Sequence, residues 1–421
     1  MPNNKCSIGL TVMLAILTAS LLATGTRAAA QQERILHSLN SKIGTQPAAS
    51  LIFDAAGILY GTAEYGGTHA AGTVFEFTPK PNGVWDAKSL HSFNNNGKDG
   101  TDPNGVLVSD AAGNLYGTTH EGGKYNCIDG CGSVFELVRK ASGAWTEKVL
   151  YSFNDNGTDG TYPDGGLIFD ATGNLYGTTA GGGANGHGAV FELTLQPNGK
   201  WTDTILHSFN ANGTDGYLPE AGLIFDAAGN LYGTTYEGGA DFYGTVFALT
   251  PAGGGVWNET ILHNFGNGTD GSEPEASLVF DAAGNLYGTT YRGGTNGSGT
   301  AFELTPAGGG AWNETVLHNF GSGTDGANPT AALIFDSAGN LYGTTSASPY
   351  DGGGTQYDGT AFELTPAGGG NWTETVLHDF GVGTDGANPY GALIFDSAGN
   401  LYGTTSSGGA YTGGTVFEIT P

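Results

Sequence analysis

The stretch "FDAAGNLYGTTYEGG" runs from Phe225 to Gly239, and "FDAAGNLYGTTYRGG" runs from Phe280 to Gly294. They differ only in Glu237 against Arg292. The "LYGT" core inside them recurs, beginning at Leu59, Leu115, Leu175, Leu231, Leu286, Leu341 and Leu401, at spacings of 55 to 60 residues. A period of that size marks a repeat architecture, in which each unit buries its apolar face only against its neighbours.

Each unit holds four strand-like runs. In the sixth they are "ALIFD" from Ala332, "NLYGTT" from Asn340, "GTAFELT" from Gly359 and "WTETVLHDF" from Trp372. β-branched and aromatic residues fill the runs, and Gly, Pro or Asp clusters bound them. Four short strands in each of seven units predict an all-β fold, a seven-bladed β-propeller of four-stranded antiparallel blades. The ends of the chain carry a permuted register. "ERILHSL", from Glu33 to Leu39, is a lone fourth strand, and the chain stops at "GTVFEITP", after a third. The orphan strand is therefore expected to complete the last blade and close the ring.

Composition agrees with short strands and tight turns: 76 of the 421 residues are Gly and only 13% are charged. Residues 1–30 read as an export signal, with Lys5, the apolar run "IGLTVMLAILTASLLATG" and the small residues of "TRAAAQQ". Cleavage would leave residues 31–421 as the propeller in a secreted, periplasmic or extracellular setting, with no membrane span. A retained anchor is the alternative, because the run approaches spanning length. The net charge is −27 and grows more negative once Lys5 and Arg27 are removed. Such a surface repels phosphate backbones, which argues against nucleic acid and leaves cations, basic partners or neutral glycans. Cys127 and Cys131, in "YNCIDGCG", most simply form one short disulfide in an oxidising compartment. A metal-binding thiolate pair is the other reading.

Through "NLYGTT", "GTVFEITP" and "LHNFGNGTDG", with small changes from copy to copy, the chain resembles the GloVer tandem repeat of exported bacterial proteins. The resemblance runs from about Glu33 to Pro421 and implies an extracytoplasmic β-propeller. Members often carry a C-terminal sorting or anchoring signal, and the ending at Thr420 and Pro421 raises the expectation of a released protein. The strand order is also similar, more weakly, to NHL-type propellers. Neither resemblance brings a general catalytic motif.

A residue present in every blade serves the blade before it serves a site. Asp226 and Gly229 in "DAAGN" fit a tight turn, with Asp capping backbone N–H groups and Gly at positive φ. Six tryptophans, Trp85 and Trp145 among them, open the fourth strand and read as packing. Six histidines occupy the "LHxF" position, and glutamates the "VFE" position of six blades. A recurrent His to Glu or His to Thr hydrogen bond is expected to satisfy them. The aspartates of "TDG", such as Asp159 and Asp215, stand nearly alone among glycines and fit backbone capping better than calcium, which needs six to eight oxygens. Calcium or another divalent cation at some of these loops stays open, and no other cofactor is indicated.

Divergence between blades concentrates on one face, in the connections after "LYGTT" and around "TDGxxP". His69, His120 and His187 fall there in three consecutive blades, either as independent exposed residues or as a three-histidine metal site. The residue after the loop proline should stand at the mouth of the central channel: Ala48, Asn104, Asp164, Glu220, Glu275, Thr330 and Tyr390. Three successive carboxylates there can hold a cation, raise one another's pKa, or simply be solvated. Tyr236, Tyr291, Phe242 and Tyr243 add aromatic surface on which sugar rings stack, beside Glu237 and Arg292. The expected function is an exported binding module that engages a glycan or protein through this variable face. The alternatives are a polysaccharide lyase or hydrolase on the same face, or a structural matrix or envelope protein.

Overall fold

The computed structural model describes residues 32–125, 127, 130–266, 268–347 and 358–421. The export signal read at residues 1–30 lies outside the described residues. Among those residues no helix forms, so none is long and apolar enough to cross a membrane. Their strands build seven four-stranded antiparallel sheets, the blades of a propeller.

The fourth blade shows how the repeat folds. Its strands are Ile224–Phe225, Leu231–Thr235, Thr245–Gly253 and Val256–Asn264, each pairing with the next in sequence. The "DAAGN" turn joins the first two as expected. Asp226 accepts the backbone N–H of Ala228 at 2.8 Å and of Asn230 at 2.9 Å, and the Tyr232 hydroxyl at 3.1 Å. Burial works to raise this carboxyl, but the Asn230 and Ala228 donors outweigh it and hold it below its ordinary value.

The apolar core lies between blades, not within one. Val190 and Phe209 of the third blade pack with Leu223, Leu231 and Phe247 of the fourth. Phe209 and Phe247 meet edge to face with centroids 5.1 Å apart. The tryptophans bridge blades too, as Trp257 does against Tyr176. Gly233, the glycine of "LYGT", leaves room for this layer: a Cβ there would sit 2.7 Å from Phe247 Cζ and 2.9 Å from Leu223 Cδ2. Gly233→Ala is therefore expected to destabilise the ring by about 1–3 kcal/mol through overpacking. Urea unfolding would show it, and Phe247→Leu in the same chain should restore part of the loss.

Two seams tie each blade to the next. The fourth residue of every "LYGT" donates its hydroxyl to a main-chain oxygen of the following blade, as Thr178 does to Ala221 at 2.8 Å. The series ends with Thr404 donating to Ala49 at 3.3 Å, which closes the circle. The second seam packs a loop proline on a glycine of the preceding blade: a Cβ on Gly188 would lie 2.5 Å from Pro219 Cδ.

The residue before each of these prolines has left-handed backbone. Gln46, Asp102, Tyr162, Leu218, Glu273, Asn328 and Asn388 have φ between 57° and 60°. A following proline normally steers a residue to extended conformations, so each of the seven stores strain of about 1–3 kcal/mol. Hydrogen bonds hold it in place. Leu218 N–H donates to His187 O at 3.1 Å, and Leu218 O accepts from Tyr236 N–H at 2.9 Å.

Ring closure follows the sequence. Gln32–Ser38 pairs antiparallel with Thr415–Thr420, from Gln32 opposite Thr420 to Ser38 opposite Thr415. The expected partner of the histidines does not. A bulge after Val190 puts His207 opposite Val190 and leaves Glu192 opposite Thr204. Glu192 instead accepts the Tyr176 hydroxyl at 2.9 Å, and five of the six histidines, all but His37, turn to the aspartate of the following loop, as His318 does to Asp325 at 2.8 Å. Those aspartates also cap backbone, Asp215 accepting Asn210 N–H at 2.9 Å.

Candidate functional site

The seven residues that follow the loop prolines come together. Ala48, Asn104, Asp164, Glu220, Glu275, Thr330 and Tyr390, with Glu64, line a cavity of 380 Å³ at the mouth of the channel. A second cavity of 130 Å³ shares those seven residues and is walled further by small ones such as Gly165, Ala221 and Ser277. Small residues are needed there because the threonine seam draws neighbouring innermost strands together.

Two further positions adjoin the post-proline residue in each blade: the one before the proline and the one after "LYGTT", of which Glu64 lines the cavity. The last is bonded to the first through the backbone, as His120 N–H is to Asp102 O at 2.9 Å. In this way Asp102 and Glu64, which single-motif reading missed, reach the same acidic sector as Asp164. Reading the repeat column by column at all three positions would have found them.

His120 Nδ1 lies 2.6 Å from Asp164 Oδ1, and Asn104 donates to the same oxygen at 2.9 Å. Burial works against the His120 cation, but Asp164 and Asp102 outweigh it and raise its pKa. Around this pair the carboxyls are pushed the other way. Burial first, then Asp102 and Asp164, raises Glu64 to about 7. Burial and Asp164 raise Glu220 to about 7, and burial and Glu220 raise Glu275 to about 8. Burial raises Asp102 to about 6, although His120 pulls it down. Near neutral pH Glu275 thus stays mostly protonated and Glu64 and Glu220 stand near half-protonation, and a protonated carboxyl both donates and accepts. Asp102 Oδ1 and Asn104 Oδ1 are buried without a donor.

The rim is aromatic. Tyr65, Tyr125, Phe242, Tyr243, Tyr390 and Tyr411 are the exposed aromatic residues among those described, and all six lie in connections of the variable face. Tyr236 donates to Glu273 Oε2 at 2.9 Å, and the Arg292 guanidinium lies 3.2 Å from the same carboxylate and 5.3 Å over the Tyr291 ring. Glu237 and Arg292 occupy two-residue ribbons, opposite Tyr217 and Ser272, that form a second layer above the blades. The three loop histidines have separate surroundings: His69 is exposed, His120 is bound to Asp164, and the His187 ring rests 5.5 Å from Tyr217. Among the described residues, the clusters with metal-ligand spacing lie elsewhere. Cys127 and Cys131 are joined as a disulfide, with Cα atoms 5.1 Å apart.

The Gloeobacter/Verrucomicrobia repeat family matches residues 25–247 and 222–421. No curated protein matches the chain in sequence. Among solved structures, a candidate 6-phosphogluconolactonase from Bacteroides uniformis is similar over 87% of this chain and 94% of its own, at 17% identity and a TM-score of 0.51. The extracellular domain of a candidate one-component system from B. thetaiotaomicron is similar over 92% of this chain, at 14% identity and a TM-score of 0.54. This chain spans 42% of that protein's length. Both likenesses concern the fold.

Proposed function

Because the chain belongs to the Gloeobacter/Verrucomicrobia repeat family, whose recurrent residues here form blades and seams, we propose that its function lies in what the repeat leaves variable, the mouth and its aromatic rim. The reading is an exported binding module that takes a neutral or amino-bearing glycan. One observation carries it: every exposed aromatic residue among those described lies on the face that holds the protonated carboxyls. Rings stack on sugar faces, carboxyls that both donate and accept match sugar hydroxyls, and the acidic sector disfavours polyuronates.

A glycan array of neutral, amino and uronic polysaccharides tests this. Hits are expected in the first two classes. Tyr390→Ala, and the double change Tyr236→Ala with Tyr291→Ala, should each weaken binding roughly tenfold or more. An array without hits, or affinity unchanged in these variants, would overturn the assignment. A second reading draws on the same protonated carboxyls, with Glu220 or Glu275 as the general acid of a hydrolase. Release of reducing-end products from an array hit would favour it. A lyase is less well served, since Arg292 is already engaged by Glu273.

A further inference from the structure

Away from the mouth, at the outer edge of the ring, six of the seven blade junctions set the "LHxF"-position residue, histidine in five and Tyr151 in one, against the aspartate of its own following loop and an acid of the next blade's fourth strand. The junctions differ in how far these groups have closed on one another. His91, His318 and His378 already hydrogen-bond their aspartates, His91 to Asp99 at 3.2 Å and His318 and His378 to Asp325 and Asp385 at 2.8 Å, although His91 with Asp99 and Glu147, and His378 with Asp385 and Glu33, also stand at metal-ligand spacing. Tyr151 replaces the imidazole and donates to Asp159 at 2.9 Å. Ala87 stands where the next blade's acid would face His37.

Between blades three and four the groups stay open. His207 Nε2 lies 3.4 Å from Asp215 Oδ2 and 3.6 Å from Glu259 Oε1. His207 Nε2, Asp215 Oδ1 and Glu259 Oε1 are buried without a hydrogen-bond partner, and Asp215 is only 7% exposed. The junction between blades four and five repeats the pattern. His263 Nε2 is 3.4 Å from Asp270 Oδ2, and His263 Nε2 and Glu314 Oε1 have no partner. Each aspartate is aimed by a backbone donor, Asn210 N–H at 2.9 Å and Gly266 N–H at 2.9 Å.

We propose that these two junctions are divalent-cation sites of the zinc class, with His207, Asp215 and Glu259 as one ligand set and His263, Asp270 and Glu314 as the other. His207 Nε2, Asp215 Oδ1 and Glu259 Oε1 are crowded together, buried and without partners, and such polar atoms are costly to leave unfilled. Ligands at about 2.1 Å from a tetrahedral ion stand about 3.4 Å apart. The observed separations of 3.4 and 3.6 Å match that edge. One nitrogen with carboxylate oxygens suits zinc or its borderline neighbours, whereas calcium takes only oxygens and more of them. Three protein ligands leave a fourth position for water. Binding would stitch two blades together without touching the mouth, so this inference stands apart from the glycan reading.

Cobalt(II) added to the chelator-stripped full chain is the direct probe, because tetrahedral coordination gives intense visible absorption. Two ions per chain are expected, each displaced by zinc, with a zinc-dependent rise in the unfolding temperature. Glu259→Gln and Glu314→Gln keep side-chain size. Each should abolish one equivalent or weaken it roughly tenfold or more. His207→Phe with His263→Phe should remove both, and circular dichroism would confirm that the fold persists. Absence of cobalt bands and of any zinc effect on unfolding would overturn the proposal, as would two undiminished equivalents in the double glutamine variant.

Discussion

Deleting residues 32–38 is expected to abolish cooperative folding. The segment supplies the outer strand of the last blade, and Leu36 packs against the cluster of Leu51, Phe75 and Val416 that joins the last blade to the first. Its loss strips Thr415–Thr420 of an entire ladder and opens that cluster to water. Burying one large apolar side chain contributes about 1.5–3 kcal/mol and each hydrogen bond about 1 kcal/mol. Together these approach the 5–15 kcal/mol that typically separates a folded domain from its unfolded chain. The truncated protein should lack a sharp urea transition, and a synthetic peptide of residues 31–40 should restore one. A cooperative transition at the wild-type midpoint without the peptide would show that the first strand is dispensable.

The second large effect is a loss of stability as pH rises. Glu64, Glu220 and Glu275 have folded-state pKa values of about 7, 7 and 8 against an ordinary 4.5, with burial the main cause in each. Below pH 4.5 these groups are protonated whether the chain is folded or not, and they contribute nothing. Between 4.5 and 8 the unfolded chain releases their protons while the folded chain keeps them, so stability falls as pH rises. Above 8 the penalty is complete. For Glu275 alone it amounts to about 2–4 kcal/mol after allowance for solvent screening. Urea midpoints measured from pH 4 to 9 should decline across that window. The double change Glu220→Gln with Glu275→Gln should make the decline shallower, the rest coming from other raised acids such as Asp203, Glu147 and Glu374, and leave the variant the more stable protein at pH 9. Parallel curves for the two proteins would show that burial at the mouth does not suppress ionisation.

Why the mouth was legible and its chemistry was not has a physical reason. Seven copies give a register, and a propeller register fixes which position of each unit faces the axis. Asp164, Glu220 and Glu275 could thus be placed at the channel from spacing alone, and they line one cavity. The protonation of Glu275 could not be placed, because it depends on burial together with Glu220 and Glu273. Glu64 was hidden for a similar reason: it stands where other blades carry His120, Tyr236 or Ser346, and a column so mixed looks like an idle loop. The histidine partners were misread because neighbouring strands were taken to pair histidine with glutamate, whereas the register sets His207 opposite Val190 and Glu192 opposite Thr204, and the imidazole meets Asp215 instead. The two-residue ribbons above the blades, such as Gly216–Tyr217 with Glu237–Gly238, are too short and glycine-rich to announce themselves as strands.

The strained residue before each loop proline has one more consequence. Its conformation is held by main-chain bonds to the preceding blade and to the residue after "LYGTT", so no particular side chain is required there: Gln, Asp, Tyr, Leu, Glu and Asn all adopt it. The neighbouring residue past the proline is positioned by the same backbone and is just as free. Each blade therefore offers interchangeable slots on a frame that does not read their contents. A chain that gains, loses or shuffles such units by recombination can rewrite what its mouth recognises one slot at a time, while the ring that displays it stays the same.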